Sequence, residues 1–280
     1  MRDFYLLGAK RTVRRMGLYT AILALCFVVL LPIIWAIIVS VKPPAELFSR
    51  PFSIAFTPTL QNYRTVLYGS PFKSFFLNSL IVSTLTAFLS LLIATPGAYA
   101  SVRFGVGGQF LKQWVLSIWF LPPIVAAIPI YLVERNLKLL DTYIGLVIPY
   151  LLLDIPFAFL LVSSFIAGVP EEIEDAALVD GCSRFTAFCR IVFPLSLPGF
   201  LVTFAFCFMF AWNEYLFALL ITATKVKTLP VHITSYMSIH SIWWGEVAAV
   251  GMIMTVPMLI ILVAIQKYLV KGLTLGALNN

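Results

Sequence analysis

Apolar positions in this chain do not alternate with polar ones; they run on in long uninterrupted stretches. Residues 18–41 carry no charge over 24 positions. As a helix that stretch would span about 36 Å, enough for a hydrocarbon core of roughly 30 Å. Five further runs follow at 75–100, 113–133, 143–167, 195–224 and 246–266. Asp154 and Pro156 interrupt the fourth, and Asn213 and Glu214 lie inside the fifth. Membrane-spanning strands would be only about 9–11 residues long with period-two alternation. Continuous runs of this length predict helices. The expected fold is an all-α integral membrane protein with six transmembrane helices. A cleavable leader has an apolar region of about 7–15 residues, so the first run is read as a retained span.

These runs divide the chain into a basic tail at 1–17, a first transmembrane helix at 18–41, an outer loop at 42–74, a five-helix core at 75–266 and a second tail at 267–280. Pro43, Pro44, Pro51, Pro58 and Pro71 prevent the loop 42–74 from forming one helix, and a short helix is expected at 59–68. Orientation follows from Lys and Arg near the span ends. With the N-terminus inside, eleven basic residues fall in inner segments and eight in outer ones. Arg2, Lys10, Arg11, Arg14 and Arg15, packed before the first span, decide for cytoplasmic N- and C-termini.

Composition agrees with the membrane assignment. Of 280 residues, 61% are hydrophobic and only 11% charged, against roughly 25% charged in soluble domains. Mean hydropathy is +1.00. Disorder and an ordinary soluble enzyme are excluded. The net charge of +7 is read as basic loops against anionic membrane lipid. No basic face interleaved with aromatics indicates nucleic acid. Cys182 and Cys189 lack C-x-x-C spacing and a nearby His, so neither a metal site nor a disulfide framework is expected.

One inner loop, 168–194, differs from the rest. It holds Glu171, Glu172, Glu174, Asp175 and Asp180, five of the twelve acids. Pro170 can open a helix whose positive end the acids complement. Ile173, Ala176, Ala177 and Val179 form a small, partly apolar face. Gly181 can adopt positive φ and stop the helix, Ser183 can cap a second one, and Pro194 leads into the fifth span. The local expectation is a helix, a glycine turn and another helix.

The ordering of these residues resembles the cytoplasmic signature of ABC importer permeases, E-A-A-x3-G-x9-I-x-L-P. Asp175-Ala176-Ala177 is followed three residues later by Gly181, and nine residues further by Ile191, Val192, Phe193 and Pro194. Asp175 stands for the first Glu and Phe193 for Leu. Asn78-Ser79, Trp212-Asn213-Glu214-Tyr215 and the segment from Lys271 to Ala277 are similar to the maltose-type carbohydrate subfamily. The resemblance implies a bacterial or archaeal plasma membrane subunit that forms half of a path for a sugar or related polyol. A second permease would form the other half, a cytoplasmic ATPase dimer would supply energy, and an external solute-binding protein would deliver solute. The residues implied in ATPase coupling are Glu171, Glu172, Glu174, Asp175, Ala176, Ala177, Asp180, Gly181, Ile191 and Pro194. No G-x-x-x-x-G-K-[ST] motif occurs in the chain, so ATP and Mg are expected on the partner ATPase, with no cofactor and no catalytic residue here.

Charged groups at membrane depth cost about 2.5–3.5 kcal/mol and need a partner, a proton or water. Trp212, Asn213, Glu214 and Tyr215 are the candidate solute path, with a structural hydrogen bond as the alternative for Glu214. For Asp154 the favoured reading is a protonated acid bonding a carbonyl left free by Pro156. His232 and His240 read as solvated outer-loop residues, and Trp243-Trp244 as an interface belt. A proton-coupled secondary transporter would also use intramembrane acids, but it gives no reason for the helix–glycine–helix loop. No Lys or Arg lies within the six spans, which favours a neutral solute.

Overall fold

A computed structural model describes residues 2–238 and 241–277, with side chains over 15–238 and 241–268. All regular elements among them are helical. They are α1 (Arg2–Val41), α2 (Pro44–Ser49), α3 (Gln61–Gly69), α4 (Phe72–Arg103), α5 (Gly108–Trp119), α6 (Pro123–Asn136), α7 (Tyr143–Ala167), α8 (Glu171–Val179), α9 (Arg184–Ala187), α10 (Phe193–Asn213), α11 (Leu216–Ile221), α12 (Leu229–Ile233) and α13 (Trp244–Ala277). His240 and the last three residues lie outside the described residues, as do the side chains of the N-terminal basic cluster up to Arg14 and of Lys271.

Among the described residues, five helices are long and apolar enough to cross a membrane: Arg15–Val41, Phe72–Arg103, Tyr143–Ala167, Arg184–Asn213 and Trp244–Tyr268. The expected third span is not one helix. It is broken into α5 and α6, which meet at 84° and make a sixth crossing only if counted together. Pro122 and Pro123 cause the break. A residue before proline is driven out of the α region, and Pro122 accordingly has ψ 126°.

The fifth run is also interrupted. The expected helix over 195–224 ends at Asn213, Glu214 is extended with ψ 128°, and α11 starts only at Leu216. Asn213 and Glu214 therefore do not sit within one continuous helix.

The chain divides into two compact units, 1–70 with 236–253, and 71–235 with 254–280. In the first, the end of α1 packs on α3. Lys42 enters the sequence reading only as one of the outer orientation charges. It is buried, and its Nζ donates to the carbonyls of Pro51 (3.1 Å), Ser53 (2.8 Å) and Arg50. Asn62, on the short helix α3, donates from Nδ2 to the carbonyls of Ser40 and Lys42, both at 2.9 Å.

The second unit is built on α4, α7 and α10. Without a hydrophobic drive between helices in lipid, membrane helices pack through small residues. α4 buries Ser79, Ser83, Ala87, Ser90, Ala94 and Ala98 at three- or four-residue spacing. Gly199 of α10 lies against Phe165 of α7. Leu146, Val147 and Tyr150 of α7 close a core with Ala211, Phe217, Ala218 and Ile221.

Candidate functional site: the α8 loop and the α10–α11 break

The segment 168–194 folds as its residues predict. Pro170 precedes α8 with φ −57° and ψ 132°, and Glu171, Glu172 and Glu174 occupy the first turn. Gly181 has φ +87°. Its N–H bonds the Leu178 carbonyl at 3.1 Å, while the Cys182 N–H bonds that of Ala177 at 3.0 Å. This crossed pair is the Schellman arrangement, which satisfies the orphan carbonyls of the helix end. Ser183 Oγ accepts the Thr186 N–H at 3.2 Å and opens α9.

Between α9 and α10 the backbone widens into a π-helical turn, Phe188–Val192, which contains Ile191. The Phe193 N–H bonds the carbonyl of Phe188, five residues back. Pro194 follows in the first turn of α10, where its missing N–H is tolerated.

The two faces of α8 differ. Glu171, Glu172, Ile173, Asp175, Ala176 and Val179 are exposed, as are Asp180 and Gly181 in the turn. Ile173, Ala176 and Val179 follow at three-residue steps and form an apolar strip flanked by acids, with Phe185 exposed in α9. Ala177 and Glu174 point inward. Glu174, which the resemblance implies in ATPase coupling, is 2% exposed.

Glu174 Oε2 lies 2.8 Å from Nε of Arg103, and Oε1 accepts the hydroxyl of Tyr99. The same guanidinium donates to the carbonyls of Val169 (2.9 Å) and Ile166 (3.3 Å), just beyond and within the end of α7. Sequence reasoning missed Tyr99 and read Arg103 only as an orientation charge. No local signal marks either, because their partner lies 71 positions from Arg103 and 75 from Tyr99.

At the α10–α11 break, Glu214 accepts the N–H groups of Phe217 (2.9 Å) and Ala218 (3.2 Å), so its carboxylate caps α11. Trp212 is buried; its indole N–H donates to the Met254 carbonyl at 3.1 Å and its ring stacks on Phe208. Asn213 and Tyr215 are exposed on either side of Glu214. The structure thus separates the four candidate path residues into two exposed side chains, one helix cap and one buried ring.

Asp154 is buried, and its Oδ2 has no hydrogen-bond partner, so that oxygen makes no bond to a carbonyl freed by Pro156. His232 corrects another expectation. It is buried with its ring 4.5 Å from that of Phe75, and burial together with the charge of Lys227 lowers its pKa to about 4.

A second polar cluster escaped sequence reasoning. Asp141, at φ +56°, accepts the backbone N–H groups of Ala223, Thr224, Lys225 and Val226 at 3.0–3.1 Å. Partial burial raises its pKa, but these four donors outweigh that and hold it at about 2. Asn78 donates to the carbonyls of Lys225 and Lys227 and accepts the Tyr143 hydroxyl at 2.6 Å. Ser79 Oγ accepts the Leu229 N–H at 2.8 Å. The Asn78-Ser79 pair therefore ties the loop after α11 to α4.

Comparison with known proteins agrees with this architecture. Residues 91–275 match the family model described as binding-protein-dependent transport system inner membrane component. The chain is 33% identical to the sulfoquinovosyl glycerol transport system permease protein SmoH of Agrobacterium fabrum, over 90% of this chain and 89% of that one. It is 31% identical to the trehalose/maltose transport system permease protein MalG of Thermococcus litoralis, over 97% and 99%. Among solved structures, a bacterial ABC transporter involved in the import of the acidic polysaccharide alginate shares the fold, with TM-score 0.73, 22% identity and coverage of 92% and 98%. The chain belongs to the family of binding-protein-dependent transport system inner membrane components, and it is a permease subunit of an ABC importer rather than an enzyme.

Proposed function

We propose that the chain forms half of the membrane path for a sugar or related polyol, and that α8 is the coupling helix docking on a cytoplasmic ATPase. The carrying observation is α8 itself: an exposed strip of Ile173, Ala176 and Val179, edged by Glu171, Glu172 and Asp175 and held at a set angle by the Gly181 turn. Small Ala176 permits close approach. A rigid helix seated in a groove converts ATPase closure into movement of the attached spans, which is alternating access. A second permease completes the path, an external binding protein delivers solute, and the ATPase dimer holds ATP and Mg. Family membership displaces the proton-coupled carrier considered from sequence.

The carbohydrate reading rests on the relatives, whose names specify sulfoquinovosyl glycerol, trehalose and maltose. Asn213 and Tyr215 are the proposed path-facing side chains, Glu214 sets their placement by capping α11, and Trp212 backs them. Alanine at Asn213 or Tyr215 is expected to weaken apparent affinity in uptake assays at least fivefold, without loss of assembled complex.

Affinity capture of the chain from its own membrane tests the assembly: an ATPase and a second permease should come down with it. Orientation is read by labelling. A cysteine at 107 should react only from the cytoplasmic side and one at 227 only from outside; the reverse pattern would place α8 on the wrong face.

Gly181→Val tests the turn. No atom lies within 4 Å of an added Cβ, so the whole penalty comes from φ +87°. Left-handed backbone costs an ordinary residue about 1–2 kcal/mol, more when β-branched. Helix α8 is expected to lose its angle, with uptake falling more than tenfold at normal membrane insertion. Wild-type uptake in a properly inserted variant refutes the assigned turn.

A further inference from the structure

A helix that transmits force needs an attachment on its inner face as well as a partner on its outer one. In α8 that attachment is polar. Its elements are the Glu174–Arg103 ion pair, the Tyr99 hydroxyl on the other carboxylate oxygen, and the two carbonyls at the end of α7 that the same guanidinium binds. Both charged side chains are at most 5% exposed, and theirs is the one ion pair among the described residues.

We propose that Arg103 and Tyr99 are positioning residues which, through Glu174, make α8 one rigid body with the ends of α4 and α7, so that displacement of α8 moves both spans together. This rests on the docking reading of α8 given above.

The chemistry favours arginine. Its planar, fixed fork can serve a carboxylate and two carbonyls at once, whereas a lysine ammonium is a single point charge on a flexible stem. Partners buried on both sides of the bond cannot trade it for water without opening the packing. Aromatic rings close the surround: Tyr99 meets Phe104 and Phe188 edge to face, at 5.8 and 5.0 Å between centroids, and Arg184 lies over Phe104. The attachment is therefore short, dry and directional, which a push transmitted from outside requires. The apolar remainder of the inner face is the small Ala177, with the half-buried Leu178 beside it.

Hydrogen exchange read by mass spectrometry on the full-length chain tests this in two stages. In the purified chain alone, Arg103→Lys and Glu174→Gln are each expected to speed exchange of the α8 amides at least tenfold, with the middle of α7 unchanged. Tyr99→Phe removes one hydrogen bond and keeps the ion pair; about threefold is expected, and this variant decides the matter if the others do not fold. Exchange of α8 within twofold of the parent in every folded variant overturns the proposal.

In the captured complex, trapping with MgATP and vanadate is expected to change exchange in both 171–181 and 96–104 of the parent. In Arg103→Lys the change should persist at 171–181 and vanish at 96–104, with ATP hydrolysis retained at half the parental rate or more. A merely structural contact would lower the yield of complex without separating the two segments. Retention of the 96–104 response in the variant overturns the proposal even if the first stage succeeds. Failure of any ATPase to accompany the parent chain refutes the docking reading instead, and the first stage then decides the rigid attachment alone.

Discussion

Gly199→Ala is expected to destabilise the purified chain by about 2–3 kcal/mol, and Gly199→Leu to prevent α7 and α10 from packing at all. An added Cβ would lie 2.1 Å from Cγ of Phe165, 2.4 Å from Cδ2 and 2.6 Å from Cβ. Real carbon contacts lie near 3.5–4.0 Å. The opposing atoms are the root of the Phe165 side chain and not its tip, so rotating the ring does not relieve the overlap; the helices must separate. Separation would loosen the shared core of the second unit, because α10 carries Ala211, and α11 with Phe217 and Ala218 follows it. Thermal unfolding in detergent measures the effect. Phe165→Ala should recover most of the loss in a Gly199→Ala background, giving a coupling energy between the two positions. Equal stability of Gly199→Ala and parent would mean that this helix crossing is not close.

The second large effect is expected at Asp141. Asp141→Ala deprives four consecutive backbone N–H groups, from Ala223 to Val226, of their common acceptor. It also puts alanine at φ +56°, where Asn and Asp are better tolerated. Bonds to a charged acceptor contribute about 1.5–3 kcal/mol each when buried. Asp141 is partly exposed, so water replaces much of this, and about 2 kcal/mol in total is expected. Asp141→Asn keeps the backbone preference and one oxygen, and should lose about half as much.

The pH dependence has a definite sign. Asp141 titrates at about 2 in the folded chain, below its ordinary value of 3.8. A carboxylate depressed by folding contributes stability that is fully present above its ordinary value and is lost as pH falls toward the folded value. Stability of the parent should therefore decline between roughly pH 4 and pH 2 more steeply than that of Asp141→Asn. Protease cleavage within 222–229 follows the same loop: the alanine variant should be cut at least tenfold faster at neutral pH. Equal cleavage rates would show that the clasp does not hold the loop.

What the sequence alone determined is local. The apolar run 143–167 became α7 with both ends where they were expected, because nothing but length and hydropathy is needed to make a buried helix in lipid. Helix α8 and its glycine turn were legible for the same reason: Pro170, the acids behind it, Gly181 and Ser183 each act within four residues of themselves. The proline pair at Pro122-Pro123 was visible in the sequence, yet hydropathy alone ran straight through it, and only the folded chain set the bend of 84°.

The tertiary structure decided what became of the charges. Arg103 and Lys42 read only as orientation charges and Glu174 as one acid of the 168–194 loop, because a lone charge in sequence has no visible partner. Their side chains are nearly inaccessible because acceptors or donors from elsewhere in the fold surround them. Asp141 stays partly exposed, yet it too bonds at a distance, to donors 82 to 85 positions further on. Glu214 left the expected helix because its carboxylate satisfies two orphan N–H groups at the start of α11, which a position inside a continuous helix would not allow. Burial of an ionised group depends on bonds made at a distance, and those bonds exist only once the helices have packed.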